Sequence, residues 1–146
     1  MRLPLLRIVA VLWFIWGLVH ILAGVMTLTQ STAGAVQGIA DAVDPSTLDV
    51  TYPAAAGAVI KQHGFNLLWI GAVTTLCAPW IWRRRFPAVA LAALVGGLAD
   101  VGYFVFMDLG GYVKFMPGTL MTLVSGSAIL LSWIAWRAEA GKPTAT

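Results

Sequence analysis

The chain has little charge, little histidine and almost no cysteine. Lysine, arginine, aspartate and glutamate together make up 10% of its 146 residues, against about 25% in an average soluble domain. That scarcity excludes a free soluble enzyme, and nine scattered basic residues do not make the continuous basic surface of a nucleic-acid reader. One cysteine, Cys77, cannot close an internal disulfide. A disulfide-stapled secreted domain and paired-thiol redox chemistry are both excluded. The only histidines, His20 and His63, show no HxxxH or HxxE spacing, so a metal centre has no motif to rest on. There is no P-loop, no zinc-protease helix, no internal repeat and no second domain.

What the chain has in quantity is apolar surface. Hydrophobic residues account for 60% of it and its mean hydropathy is +0.86. Four runs approach the ~20 residues that cross ~30 Å of hydrocarbon as a helix. They cover about 8–28, 58–82, 87–107 and 115–136. The expected fold class is all-α membrane: a four-transmembrane-helix antiparallel bundle forming one domain over 1–146, with a long outer loop at about 29–57. Within that loop Val36, Ile39, Ala40 and Val43 recur at helical spacing, which predicts a short amphipathic helix ending at Asp44-Pro45. Pro53 suits the first turn of the second long helix, and Pro87 that of the third.

Orientation follows from the basic residues. Arg2, Arg7, Arg83, Arg84, Arg85, Arg137 and Lys142 fall on one side of the spans, whereas Lys61 and Lys114 lie on the other beside Asp41, Asp44, Asp49 and Asp108. The positive-inside rule then makes both termini cytoplasmic. Trp80, Trp82, Trp133 and Trp136 gather at that same edge, as an interfacial aromatic belt does. The first run is about twice the 7–15 residues of a signal-peptide core, so a retained span is expected. The location implied is a cell (inner) membrane, multi-pass.

Each run carries one face of small or polar residues, the kind through which helices associate in lipid. These are Gly17, His20 and Gly24; His63, Asn66, Thr74 and Cys77; Ala92, Gly96, Asp100 and Tyr103; and Thr122, Ser125 and Ser132. At helical rise, His20 lies ~18 Å from the cytoplasmic edge and Asp100 ~20 Å. Asn66 lies ~24 Å and His63 ~28 Å from it. The picture is a polar funnel opening outward, with Gln62, His63 and Asn66 at its mouth and His20 with Asp100 at its floor, on neighbouring helices.

Asp100 is the most telling residue, because a carboxylate at that depth costs ~2.5–3.5 kcal/mol to insert and intramembrane acids mark sites. The plain reading is a His20–Asp100 contact that only holds helices together. The functional reading is an acid–base pair, with Gln62, His63, Asn66, Tyr103 and Ser125 binding a ligand above it. Haem between the two histidines fits poorly with their ~10 Å difference in depth, and no cofactor is assigned. Asp108 and Lys114 are expected to pair across the outer turn. The function expected is a small polytopic membrane protein that binds a lipophilic small molecule, a membrane protein partner or its own copies in the bilayer. The alternative is a membrane-embedded isomerase, cyclase or redox enzyme acting on an isoprenoid, sterol or quinone-like substrate.

Overall fold

The structure is a computed structural model that describes residues 2–140, with side chains from 4 to 137; Lys142 lies outside the described residues. Among them every regular element is helical. Four helical segments are long and apolar enough to span a membrane: Pro4–Thr29, Ala54–Trp82, Phe86–Asp108 and Phe115–Arg137. The elements are α1 (Arg2–Thr29), α2 (Thr32–Ile39), α3 (Pro45–Leu48), α4 (Ala54–Trp82), α5 (Phe86–Tyr103) and α6 (Leu120–Ala140). One wide π-type turn, Phe104–Asp108, ends α5, and another, Phe115–Thr119, leads into α6.

The long helices form a ring in which α1 touches α4 and α6, and α5 touches the same two. Helices α1 and α5 are therefore diagonal partners, not the neighbours that equal depth suggested. Depth along the membrane normal fixes height but not order around a bundle. The gap across the diagonal is filled by aromatic bulk. Trp13 and Trp16 are both fully buried and meet edge to face with ring centroids 5.7 Å apart. A Cβ on Gly96 of α5 would collide with the Trp13 ring, so that glycine makes room for the indole.

The closest pair is α1 with α4, which run antiparallel. Gly17 lies against Gly71, and Gly24 against Gly64. A Cβ at Gly71 would stand 2.5 Å from the Gly17 carbonyl oxygen and 2.7 Å from the Ile21 nitrogen. With no side chain between them the backbones close up, and dispersion over the long contact holds the pair together in lipid. Large residues away from this seam on α1, among them Ile8, Phe14, Leu18 and Leu22, stay exposed. At one end of the bundle Arg7 lies over the Trp82 ring and Arg137 over that of Trp133. All four tryptophans of the proposed belt are exposed.

Two capping devices fix the helix ends. The Lys61 ammonium of α4 donates to the carbonyls of Thr27 (3.1 Å), Leu28 (2.7 Å) and Gln30 (2.5 Å). It thereby satisfies the C-terminal end of α1, where carbonyls lack helical partners and the dipole favours a cation. At the end of α4, Arg84 adopts a left-handed φ of 63°. The Arg85 N–H then reaches back to the Trp80 carbonyl and the Arg84 N–H to that of Ile81. This closure turns the chain straight into α5.

The connection from α1 to α4 departs from expectation in one respect. Its first helix ends at Ile39, not at Asp44-Pro45, because Ala40 leaves helical geometry. Asp44 and Pro45 instead start α3, with Pro45 in its first turn and Asp44 as its cap. The Ser46 N–H and hydroxyl both donate to the Asp44 carboxylate, holding its pKa below the usual carboxylate value. The Lys114 N–H donates to Asp41 Oδ1 over 2.7 Å and the Ala42 N–H to the Tyr112 carbonyl over 3.1 Å. This connection is thus tied to the turn between α5 and α6.

Candidate functional site

The site grows from one turn of α1. Trp16 and His20 are four residues apart on a helix, so their side chains stack on the same face. The indole and imidazole rings lie 3.6 Å apart at 20°. His20 Nδ1 is 2.8 Å from the Trp16 carbonyl oxygen. A carbonyl only accepts, so Nδ1 carries the proton and donates it there. The imidazole is fixed in plane and tautomer, with Nε2 directed toward α5.

Asp100 meets this pair from across the diagonal. The Trp16 indole N–H donates to Asp100 Oδ2 over 2.7 Å. His20 Nε2 stands 3.9 Å from Oδ1, within reach for an ion pair but too far for a hydrogen bond. The direct hydrogen-bonding partner of Asp100 is thus Trp16, and His20 is a close neighbour. Ser125 of α6 is buried, and its one hydroxyl proton has two acceptors, the Thr122 carbonyl at 3.1 Å and the same carboxyl. The carboxylate retains accepting capacity.

Above this floor lies a cavity of about 350 Å³ with a mainly apolar wall. Val19, Ala23 and Met26 of α1, Leu67 of α4 and Met121 of α6 form its sides. Ala35, Gly38 and Ile39 of α2 lie over it. The polar groups on its surface include His20, Asp100, His63, Tyr103, Gln30 and Asp41. Of the residues singled out from the sequence, His20, His63, Asp100 and Tyr103 thus come together, with His63 exposed at the margin.

Three others do not line it. Ser125 stands behind the floor. Gln62 is exposed, and Asn66 accepts from the Trp69 indole N–H of its own helix over 3.1 Å. The reason is helical phase: His63 and Leu67 share a face, and Gln62 sits ~100° away from His63. The Asp108–Lys114 pair is also absent among the described residues. Asp108 turns inward to accept from the Thr119 and Thr122 hydroxyls, because the wide turn ending α5 points it at the start of α6. No three His, Cys, Asp or Glu side chains among the described residues converge as metal ligands do.

The residue that sequence reasoning missed is Trp16. The signal was available: a tryptophan away from the interfacial belt, one helical turn from His20, whose buried N–H needs an acceptor. The Gly64–Gly71 pair was legible in the same way, since it repeats the seven-residue spacing of Gly17 and Gly24. The chain matches no family model, no curated protein and no solved structure.

Proposed function

We propose that this chain is a small multi-pass membrane protein that binds one lipophilic small molecule inside its helix bundle, from the outer side. The carrying observation is the cavity itself, apolar in its walls and polar at its floor, where His20 and Asp100 are fixed by Trp16. Small-molecule sites have this character, with mostly hydrophobic linings and a few placed polar groups. A volume of about 350 Å³ falls at the lower end of the ~300–1,000 Å³ range of such sites. That suits one chain or ring system better than a two-chain phospholipid. Both termini are cytoplasmic in this reading, so the cavity opens away from the cytoplasm.

The test is co-purification. Protein extracted in mild detergent is stripped with organic solvent and its lipophilic content identified by mass spectrometry. The same is done for Ala23→Phe, which fills the cavity from α1. One compound enriched in the wild type and reduced at least tenfold in the variant is the expected result. Equal content in both overturns the reading. A second reading, acid–base catalysis on such a molecule, is favoured by one observation: His20 Nε2 has no hydrogen-bond partner among the described residues and faces the carboxylate at 3.9 Å. If it holds, His20→Gln loses turnover of the identified compound by a larger factor than it loses binding of it.

A further inference from the structure

Resting on the binding reading above, we infer that the ligand carries a primary amine as its head group, and that His20 Nε2 and Asp100 Oδ1 receive it together. The argument is one of unused acceptors. The Nδ1 proton of His20 goes to the Trp16 carbonyl, so Nε2 presents a lone pair. Trp16 donates to Oδ2 of Asp100, which leaves Oδ1 as the oxygen facing the imidazole. The two atoms are 3.9 Å apart with no proton shared between them. The Ser125 hydroxyl, placed between the Thr122 carbonyl and this carboxyl, has a single proton and cannot fill the several lone-pair sites of a carboxylate. Asp100 is 5% exposed and lines the cavity, so a ligand group entering there can reach its free oxygen.

Two acceptors at this spacing can be bridged by one donor atom about 2.8 Å from each, an ordinary hydrogen-bond length. A hydroxyl has one proton and satisfies one of them. A ketone or quinone oxygen has none and would set a third acceptor against the pair. A primary ammonium has three, serves both, and brings the positive charge that a carboxylate inside a membrane needs. The apolar walls then take the hydrocarbon portion. Asp41 at the cavity's margin places a second carboxylate along the path of an approaching cation.

The experiment uses the whole chain in phosphatidylcholine nanodiscs, with three chain-matched probes: decylamine, decyltrimethylammonium and 2-decanone. Binding of tritiated decylamine and tritiated 2-decanone is read by scintillation proximity against empty discs, and the third probe is run as a competitor. Decylamine is expected to bind at least tenfold more tightly than either of the others. The quaternary ion tests charge without N–H donors, so equal binding of amine and quaternary ion overturns the inference. Preference for the ketone overturns it as well, while leaving the binding reading intact. If neither labelled probe binds above empty discs, both readings fail. In Asp100→Asn, which can still accept from Trp16, the preference for the amine is expected to fall to within about twofold. Should that variant not fold, the wild-type probe series decides alone. Phosphatidylethanolamine added to the discs tests a lipid head group as the source of the amine. Competition by it assigns the site to the lipid, and its absence to a free amphiphilic amine.

Discussion

The Trp16 indole N–H donates to the Asp100 carboxylate across the bundle diagonal, over 2.7 Å, and so joins two helices that are not neighbours in the ring. A neutral donor from a fully buried ring meets the acid, and the histidine stacked on that ring is held 3.9 Å from the same group. Trp16 is therefore the positioning residue for both.

Replacing it tests this directly. Trp16→Phe leaves the carboxylate without its donor and the imidazole without its full stacking surface. A loss of about 1–3 kcal/mol is expected, the usual cost of an unsatisfied buried acceptor. Adding Asp100→Leu to that background should recover part of the loss, because no acceptor then remains to be satisfied. The measurement is reversible unfolding by sodium dodecyl sulfate in mixed micelles. Strict additivity of the two substitutions would contradict the contact.

The α1–α4 seam predicts a contrast among glycines. Gly71→Ala drives a methyl against the backbone of Gly17 and Ile21, which cannot move aside as a flexible side chain can. It should separate the helices and cost about 1–3 kcal/mol, as overpacking commonly does. Gly102→Ala and Gly126→Ala meet nothing within 4 Å and should be neutral or slightly stabilising. The same unfolding assay compares all three.

Lys61 makes a third prediction. Lys61→Met keeps much of the side-chain length but removes the donor to three carbonyls at the end of α1. The last turn of α1 should fray, seen as faster amide exchange over residues 25–30 and a stability loss on the order of 1–2 kcal/mol. Lys61→Arg retains the charge and should behave closer to wild type. Unchanged exchange in the methionine variant would show that the cap carries no weight.

At the α4–α5 turn the prediction is a gain. Arg84 holds a left-handed backbone conformation that costs a side-chain-bearing residue about 1–2 kcal/mol and glycine almost nothing. Arg84→Gly should stabilise the protein by up to about 1 kcal/mol, the remainder being lost to the greater freedom of glycine in the unfolded chain. Loss of stability would refute this account of the turn.

Topology is tested by reporter fusions. Fusions after Arg85 and after Thr146 should report the cytoplasm, and one within residues 40–50 the opposite side. The inverted pattern would place the cavity mouth in the cytoplasm and overturn the proposed direction of ligand entry.

The all-helical character of the chain, with four helices long and apolar enough to span a membrane, was determined by the sequence alone. Four apolar runs of bilayer length leave the backbone no other way to satisfy its hydrogen bonds in hydrocarbon, and the four spanning segments appear where those runs lie. The buried faces were legible too: Gly17 and Gly24, Ala92, Gly96 and Asp100, and Ser125 and Ser132 all turn inward, because small and polar side chains are what α-helices bring together in lipid. Even the equal depth of His20 and Asp100 could be counted, since helical rise is constant. The order of helices around the bundle could not. It depends on which small-residue seams pack most tightly, and here the glycine seam pairs α1 with α4 while α5 lies on the diagonal. That arrangement is why tryptophan, long enough to cross the centre, holds Asp100 in place of histidine. It is also why Gln62 and Asn66 miss the cavity by a fraction of a helical turn. Rise along a helix is fixed by the backbone, but rotation about its axis is fixed only by what it packs against.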